Sequence, residues 1–249
     1  MSKIIAVANQ KGGVGKTFLV FHLAHFLWEK KASVLAIDLD PQGNLTLCFS
    51  LGYKIILENC PAAQIFEKEK LVYFPLEKNF WLCGSDIQLA RCEAQFSGVG
   101  AYFKLKKVLS KLEKQPDYIL IDCPPSLGLF SISAFVAANK LLIPLRAEVF
   151  SISGLADLLN VVEEIRENIN PELENAGLVL NAVNPRTRVA RDTIEALKTE
   201  QNLNVLATIS ASIKVEEALR TGRPLWQLSP GHKMTTSLKE ALHSIVSSL

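Results

Sequence analysis

The sequence contains no uninterrupted apolar run of the roughly 18 residues that a membrane-spanning helix needs. The nearest approach, residues 127–145, is broken by Asn139-Lys140. It also lacks a secretory leader pattern: Met1-Ser2-Lys3 runs straight into an apolar stretch, so no signal peptide is expected. Five cysteines (Cys48, Cys60, Cys83, Cys92 and Cys123) are an odd number and contain no C-x-x-C pair. The spacings of a disulfide framework, a zinc site and an iron–sulfur cluster are therefore all missing. Buried, reduced thiols and a cytoplasmic location are expected instead. Charge is nearly balanced, 27 Lys and Arg against 25 Asp and Glu. That excludes reading the whole chain as a polycation, and leaves nucleic-acid binding to local clusters. No Pro-, Gly- or Ser-rich linker divides the 249 residues, so a single domain over 1–249 is expected.

What the chain does have is concentrated near its start. The apolar run Ile4-Ile5-Ala6-Val7-Ala8 reads as a buried strand, and Phe18–Trp28 as an apolar helix. Between them lies Gln10-Lys11-Gly12-Gly13-Val14-Gly15-Lys16-Thr17. Strand, glycine-rich turn, Gly-Lys-Thr and helix are the context of a phosphate loop. Gly12, Gly13 and Gly15 lack Cβ atoms, so the loop's backbone N–H groups, including that of Val14, can converge on phosphate oxygens. The helix N-terminus adds partial positive charge. In such a loop Lys16 reaches the β/γ-phosphates and the Thr17 hydroxyl holds Mg²⁺. ATP and Mg²⁺ are the expected ligands.

Two further strands end in acids. Ser33–Leu39 leads into Asp38-Leu39-Asp40-Pro41-Gln42-Gly43-Asn44, and alternation places Asp38 and Asp40 on one face. Asp117–Asp122 ends in an acid placed to hold a Mg²⁺-bound water. Carboxylates at the carboxyl ends of parallel strands sit where ligands bind in open α/β sheets. Strands alternating with helices imply a mostly parallel, twisted α/β sheet of the P-loop NTPase type, with helices on both faces.

The motif Lys-Gly-Gly-Val-Gly-Lys-Thr resembles the deviant phosphate loop of the family that includes ParA/Soj partition ATPases, Min-type ATPases and nitrogenase iron protein. The first Gly of the general motif is replaced by Gln10, and Lys11 is an added cation. The resemblance implies that Lys11 crosses a homodimer interface to the partner's nucleotide. Asp-x-Asp-Pro-Gln and Cys123-Pro124-Pro125-Ser126-Leu127-Gly128 resemble switches I and II of the partition branch. On that pattern Asp40 orients the attacking water, Asp38 supports the Mg²⁺ shell and Asn181 stands where some members contact adenine. The implied function is an ATPase that dimerises with ATP, binds nonspecific DNA on the nucleoid and is stimulated by a ParB-like centromere-binding partner. No room is expected ahead of the motif for the DNA-reading domain of longer partition ATPases.

Farther along, the sequence predicts a short helix at Ala62–Lys68 and short strands at Leu71–Leu76 and Phe80–Cys83. Asp86 is expected to cap a helix reaching about Gln95, and an amphipathic helix is expected over Ala101–Lys114. The lysines of that last helix read as a solvated face. A strand at Leu141–Leu145, a helix at Ser153–Ile169, a strand at Ala176–Val183 and a terminal helix at Leu238–Leu249 follow. Between Asn184 and Lys233 there are eight Lys and Arg against five Asp and Glu. Arg186, Arg188 and Arg191 cluster there, and the resemblance marks Arg186 and Lys214 as DNA-facing positions. Phosphate contacts suffice for nonspecific binding.

The family pattern Ile-Pro-Arg-Asn is replaced here by Ile209-Ser210-Ala211-Ser212. The alternative is a Min-type or other cargo-positioning ATPase acting on a membrane or a protein assembly. A Min-type protein would anchor through a basic amphipathic terminal helix, and Lys239 is the one basic residue in the stretch expected to be helical. A reductase of the superfamily would need paired cysteines, and a tyrosine kinase a tyrosine-rich tail; no Tyr follows Tyr118.

Overall fold

The computed structural model describes residues 2–56, 60–147, 151–184, 186–199 and 203–249. Pro185, part of the segment after the seventh strand, lies outside them. In chain order the elements are β1 (Lys3–Val7), α1 (Lys16–Glu29), β2 (Val34–Asp38), α2 (Asn44–Tyr53), α3 (Pro61–Lys68), β3 (Phe74–Glu77) and β4 (Phe80–Cys83). Then come α4 (Ala90–Gln95), α5 (Lys104–Ser110), β5 (Tyr118–Asp122), α6 (Leu129–Ala137), β6 (Lys140–Arg146), α7 (Ser151–Asn168) and β7 (Glu174–Val183). The chain ends with α8 (Arg188–Thr199), β8 (Val205–Ser210), α9 (Ile213–Thr221), α10 (Leu225–Leu228) and α11 (Lys233–Ser248).

The described residues form an eight-stranded sheet in the order β3-β4-β2-β5-β1-β6-β7-β8. Each neighbouring pair is parallel except β3 with β4. The strands are apolar on both faces because both faces are covered. Ala6, Ile37, Ile121 and Ile143 point into one core, with Phe66, Phe130 and Phe135. Ile5, Val7, Ala36 and Leu120 point into the other, with Phe21 and Leu23 of α1. Period-2 alternation along each strand divides the two cores. The mostly parallel α/β architecture read from the sequence is the one observed.

Several boundaries differ. The expected strand Leu71–Leu76 is Phe74–Glu77, turned back on β4 through Asn79 at φ 64°. The expected helix Ala101–Lys114 is a 3₁₀ turn over Val99–Phe103 followed by α5, which ends at Ser110. Its lysines are not all solvated: Lys104 Nζ donates to the Phe66 carbonyl and lies 3.9 Å from the Phe96 ring centroid. Lys107 pairs with Glu69. Asp86 does cap, accepting from Gln88 N at 2.7 Å, but it opens a 3₁₀ turn that precedes α4. α11 begins at Lys233, before the expected Leu238, and buries Leu238, Leu242 and Ile245 against the second core. The five thiols are free and buried, as expected. Among the described residues no helix is long and apolar enough to cross a membrane.

Candidate functional site

The turn between β1 and α1 is shaped by glycine. Gly13 and Gly15 take φ of 72° and 100°, which L side chains rarely adopt, and Gly15 occupies the N-cap of α1. The loop is also fixed from outside the motif. Asn9 Nδ2 donates to the Pro144 carbonyl at 2.8 Å, and Asn9 Oδ1 accepts from Lys11 N at 2.9 Å. Asn181 Nδ2 donates to the Val14 carbonyl at 2.9 Å. Asn181 thus braces the phosphate loop from β7, two strands from β1.

Lys16 is 7% exposed and folds back over the loop, donating to the carbonyls of Asn9 at 3.1 Å and Lys11 at 3.3 Å. Burial lowers its pKa, and the nearby carboxylates of Asp122 and Asp40 act against that shift. A cation held this way, with loop carbonyls in place of anions, is ready to exchange them for phosphate oxygens. Lys11 is half-buried at the loop's start.

The acids converge because their strands are neighbours. In the β2–β5 register Asp38 stands beside Asp122, both buried. Asp122 Oδ2 accepts from Thr17 Oγ1 at 2.7 Å, while Oδ1 is buried without a partner. Asp38 accepts from Thr46 N at 2.9 Å, Thr46 Oγ1 at 2.7 Å and Asp40 N at 3.1 Å. Burial raises both carboxyl pKa values, Asp38 to about 6, and each is raised further by a neighbouring carboxylate. Asp40 Oδ1 accepts from Gln42 N at 2.9 Å.

The phosphate loop and Asp40 open onto a cavity of about 570 Å³. Gly12, Gly13, Gly15, Lys16, Thr17 and Asp40 form part of its wall. Leu47 and Leu51 of α2, Pro125, and Leu219 and Arg220 of α9 also line it. α9 reaches this position because α2 and α9 meet at a glycine contact: a Cβ on Gly52 would lie 2.0 Å from the Gly222 carbonyl oxygen. The orphaned Asp122 Oδ1 beside the Thr17 hydroxyl is an all-oxygen site that suits a hard cation. Among the described residues no cluster of three or more His, Cys, Asp or Glu forms a complete metal cage. A hydroxyl and a carboxylate alone suit Mg²⁺, which retains waters and takes phosphate oxygens.

The four basic residues expected to face DNA lie elsewhere. Arg186 and Arg191 are exposed. Arg188 pairs with Asp192 at 3.4 Å, and Lys214 with Glu217 at 2.7 Å. The sequence reading missed Asn9, Thr46 and the α9 wall. Asn9 adjoins the motif and Thr46 follows Asp-Pro-Gln-Gly-Asn closely, so position along the chain was the available signal.

A glycine-cradled loop, a buried lysine at a helix start and strand-end acids beside its threonine define a P-loop nucleotide-binding protein. A family model described as an AAA domain matches residues 2–175. The sporulation initiation inhibitor protein Soj of Bacillus subtilis is 32% identical over 240 residues, covering 92% of each chain. The chain belongs to the ParA/Soj family of P-loop ATPases. A plasmid partition protein from Borrelia burgdorferi, solved with AMPPNP, superposes with a TM-score of 0.83 at 25% identity, covering 99% of both chains. Cobyrinic acid a,c-diamide synthase from Mycobacterium smegmatis, solved with ADP and magnesium, gives 0.80 at 29% identity. The coverage there is 99% of this chain and 94% of the other.

Proposed function

We propose that this protein is a partition ATPase that dimerises with ATP, holds nonspecific DNA as the dimer and hydrolyses ATP slowly until a ParB-like partner speeds it. The observation that carries the reading is the single cavity in which Lys16, Thr17 and Asp40 meet, with Asp122 bonded to Thr17. The backbone from Gly12 to Thr17 would cradle the phosphates, and Lys16 would leave the Asn9 and Lys11 carbonyls for the β/γ-oxygens. Thr17 would hold Mg²⁺ directly and Asp122 would hold it through water, with Asp38 supporting from behind. When bound, the ion offsets charge on the β/γ-phosphates. Asp40, steadied by Gln42 N–H, would orient water at the γ-phosphate. Lys11 would reach the nucleotide of the facing subunit.

Arg186, Arg188, Arg191 and Lys214 would contact DNA phosphates. The exposed ion pairs of Arg188 and Lys214 are individually weak, so an incoming phosphate can replace the carboxylate. Ser210-Ala211-Ser212 in place of Pro-Arg-Asn favours the second reading, in which the ATP dimer positions a protein assembly or membrane-bound cargo. The adenine contact expected of Asn181 would have to coexist with its bond to Val14 or replace it.

The test is binding to a nonspecific duplex with ATP, ADP or no nucleotide at two salt concentrations, for wild type, Lys16→Ala and Arg186→Ala. Binding that requires ATP, weakens with salt and is lost in both variants is expected. ATP-dependent dimers that ignore DNA would overturn the DNA reading in favour of the other cargo.

A further inference from the structure

The segment that carries Asp40 is held by a side chain outside it. Asp38 Oδ1 accepts from Asp40 N, and Asp38 Oδ2 accepts from both the backbone N–H and the hydroxyl of Thr46. The same Thr46 Oγ1 accepts from Ser85 N at 2.8 Å. One hydroxyl therefore joins the end of β2, the first turn of α2 and the segment after β4. Between these anchors the chain turns sharply. Gly43 N donates to the Asp40 carbonyl at 2.9 Å, and Gly43 takes φ 62° with the Ser85 carbonyl so near that a Cβ would meet it at 2.8 Å. Asp40 through Gly43 is thus a tight turn clamped at both ends, with Thr46 as the closing pin. Thr46 is 8% exposed, and its hydroxyl donates one hydrogen bond and accepts another.

We infer that Thr46 is a positioning residue for hydrolysis: its hydroxyl, bridging Asp38 and Ser85 N–H, sets where the Asp40 carboxylate stands over the phosphate loop. The inference rests on the ATPase reading above. Thr46 is not among the residues lining the phosphate cavity, so it is expected to act on the catalytic geometry more than on nucleotide affinity. Small displacements of a catalytic group cost rate steeply, about 100-fold for an ångström.

The test is steady-state ATP turnover by the full chain with Mg²⁺ and DNA, for wild type, Thr46→Val, Thr46→Ser and Lys16→Ala, with a melting curve for each. Valine keeps the shape and removes both bonds of the hydroxyl. We expect kcat to fall by roughly 10- to 100-fold with KM for ATP moving less than about threefold. Serine is expected to restore most of the rate. A Thr46→Val enzyme that is folded at the assay temperature and turns over within about twofold of wild type would overturn the inference while leaving the ATPase reading intact. So would equal losses in the valine and serine variants, or a loss confined to KM. A wild type that hydrolyses no more than Lys16→Ala would sink the ATPase reading, and this inference with it.

Discussion

Asn181 reaches across from β7 to donate its amide to the Val14 carbonyl, and Gly15 is the residue whose missing side chain makes room for it. A Cβ built on Gly15 would sit 1.9 Å from Asn181 Nδ2. The brace and the glycine are a matched pair: one holds the phosphate loop, the other leaves the space through which it is held.

Gly15→Ala therefore meets two obstacles, the Asn181 amide and a backbone φ of 100°. Together they should cost more than about 2 kcal/mol of loop stability and reduce nucleotide affinity by about 30-fold or more. The second obstacle predicts that Asn181→Ala does not rescue Gly15→Ala. Nucleotide titration of both single variants and the double variant measures this. Restoration in the double variant would show that the side-chain clash alone sets the cost.

Lys16 serves its ligand at the expense of the ligand-free fold. Burial disfavours its charge, and in this structure its ammonium is hydrogen-bonded to backbone carbonyls. Lys16→Met retains the volume and removes the buried charge. The ligand-free variant should melt about 2–4 °C higher than wild type, and nucleotide should no longer raise the melting temperature. A lower melting point for the ligand-free variant would mean that the carbonyl bonds outweigh the desolvation.

Two buried histidines on α1 set a pH dependence. His22 bonds the Phe18 carbonyl through Nδ1 and accepts from Leu225 N at 3.3 Å through Nε2. His25 bonds the Phe21 carbonyl through Nδ1, and its Nε2 lies 3.3 Å from the Tyr53 hydroxyl. The carbonyl bonds and the Leu225 bond suit neutral rings protonated at Nδ1, and burial lowers the pKa values to about 3 and about 4. Because the folded-state values lie below the unfolded value of about 6.5, the stabilisation is complete above pH 6.5 and is lost as pH falls toward 4. Asp38 acts oppositely. Its folded value near 6 lies above the unfolded one, so its contribution is lost as pH rises from about 4 to 6. Replacing His25 isolates the first effect: His25→Phe should destabilise by about 1 kcal/mol less at pH 5.5 than at pH 7.5 in urea unfolding. Equal costs at the two pH values would mean that His25 titrates in the folded protein as it does in the unfolded chain.

The alternation of strands with helices, the phosphate loop and the identity of the acids were legible in the linear sequence, although α2, α6, α9 and α10 were not. They depend on local rules: apolar runs of strand or helix length, glycines where a loop must approach phosphate, acids at strand ends. Lys16, Thr17 and Asp122 were readable for that reason, and the structure joins Thr17 to Asp122 across 105 positions of chain. What tertiary structure alone decided is which long-range neighbour holds each piece. Asp38 was legible as an acid beside the site, but its engagement by Thr46 depends on how α2 leaves the Asp40–Gly43 turn. Asn181 was legible only by likeness, and its contact with Val14 exists because β7 lies two strands from β1 in the sheet. The α9 wall of the cavity rests on Gly52 meeting Gly222, two glycines 170 residues apart that no periodicity connects. Local sequence fixes the conformation a segment prefers; strand order and close packing bring distant segments within hydrogen-bonding range.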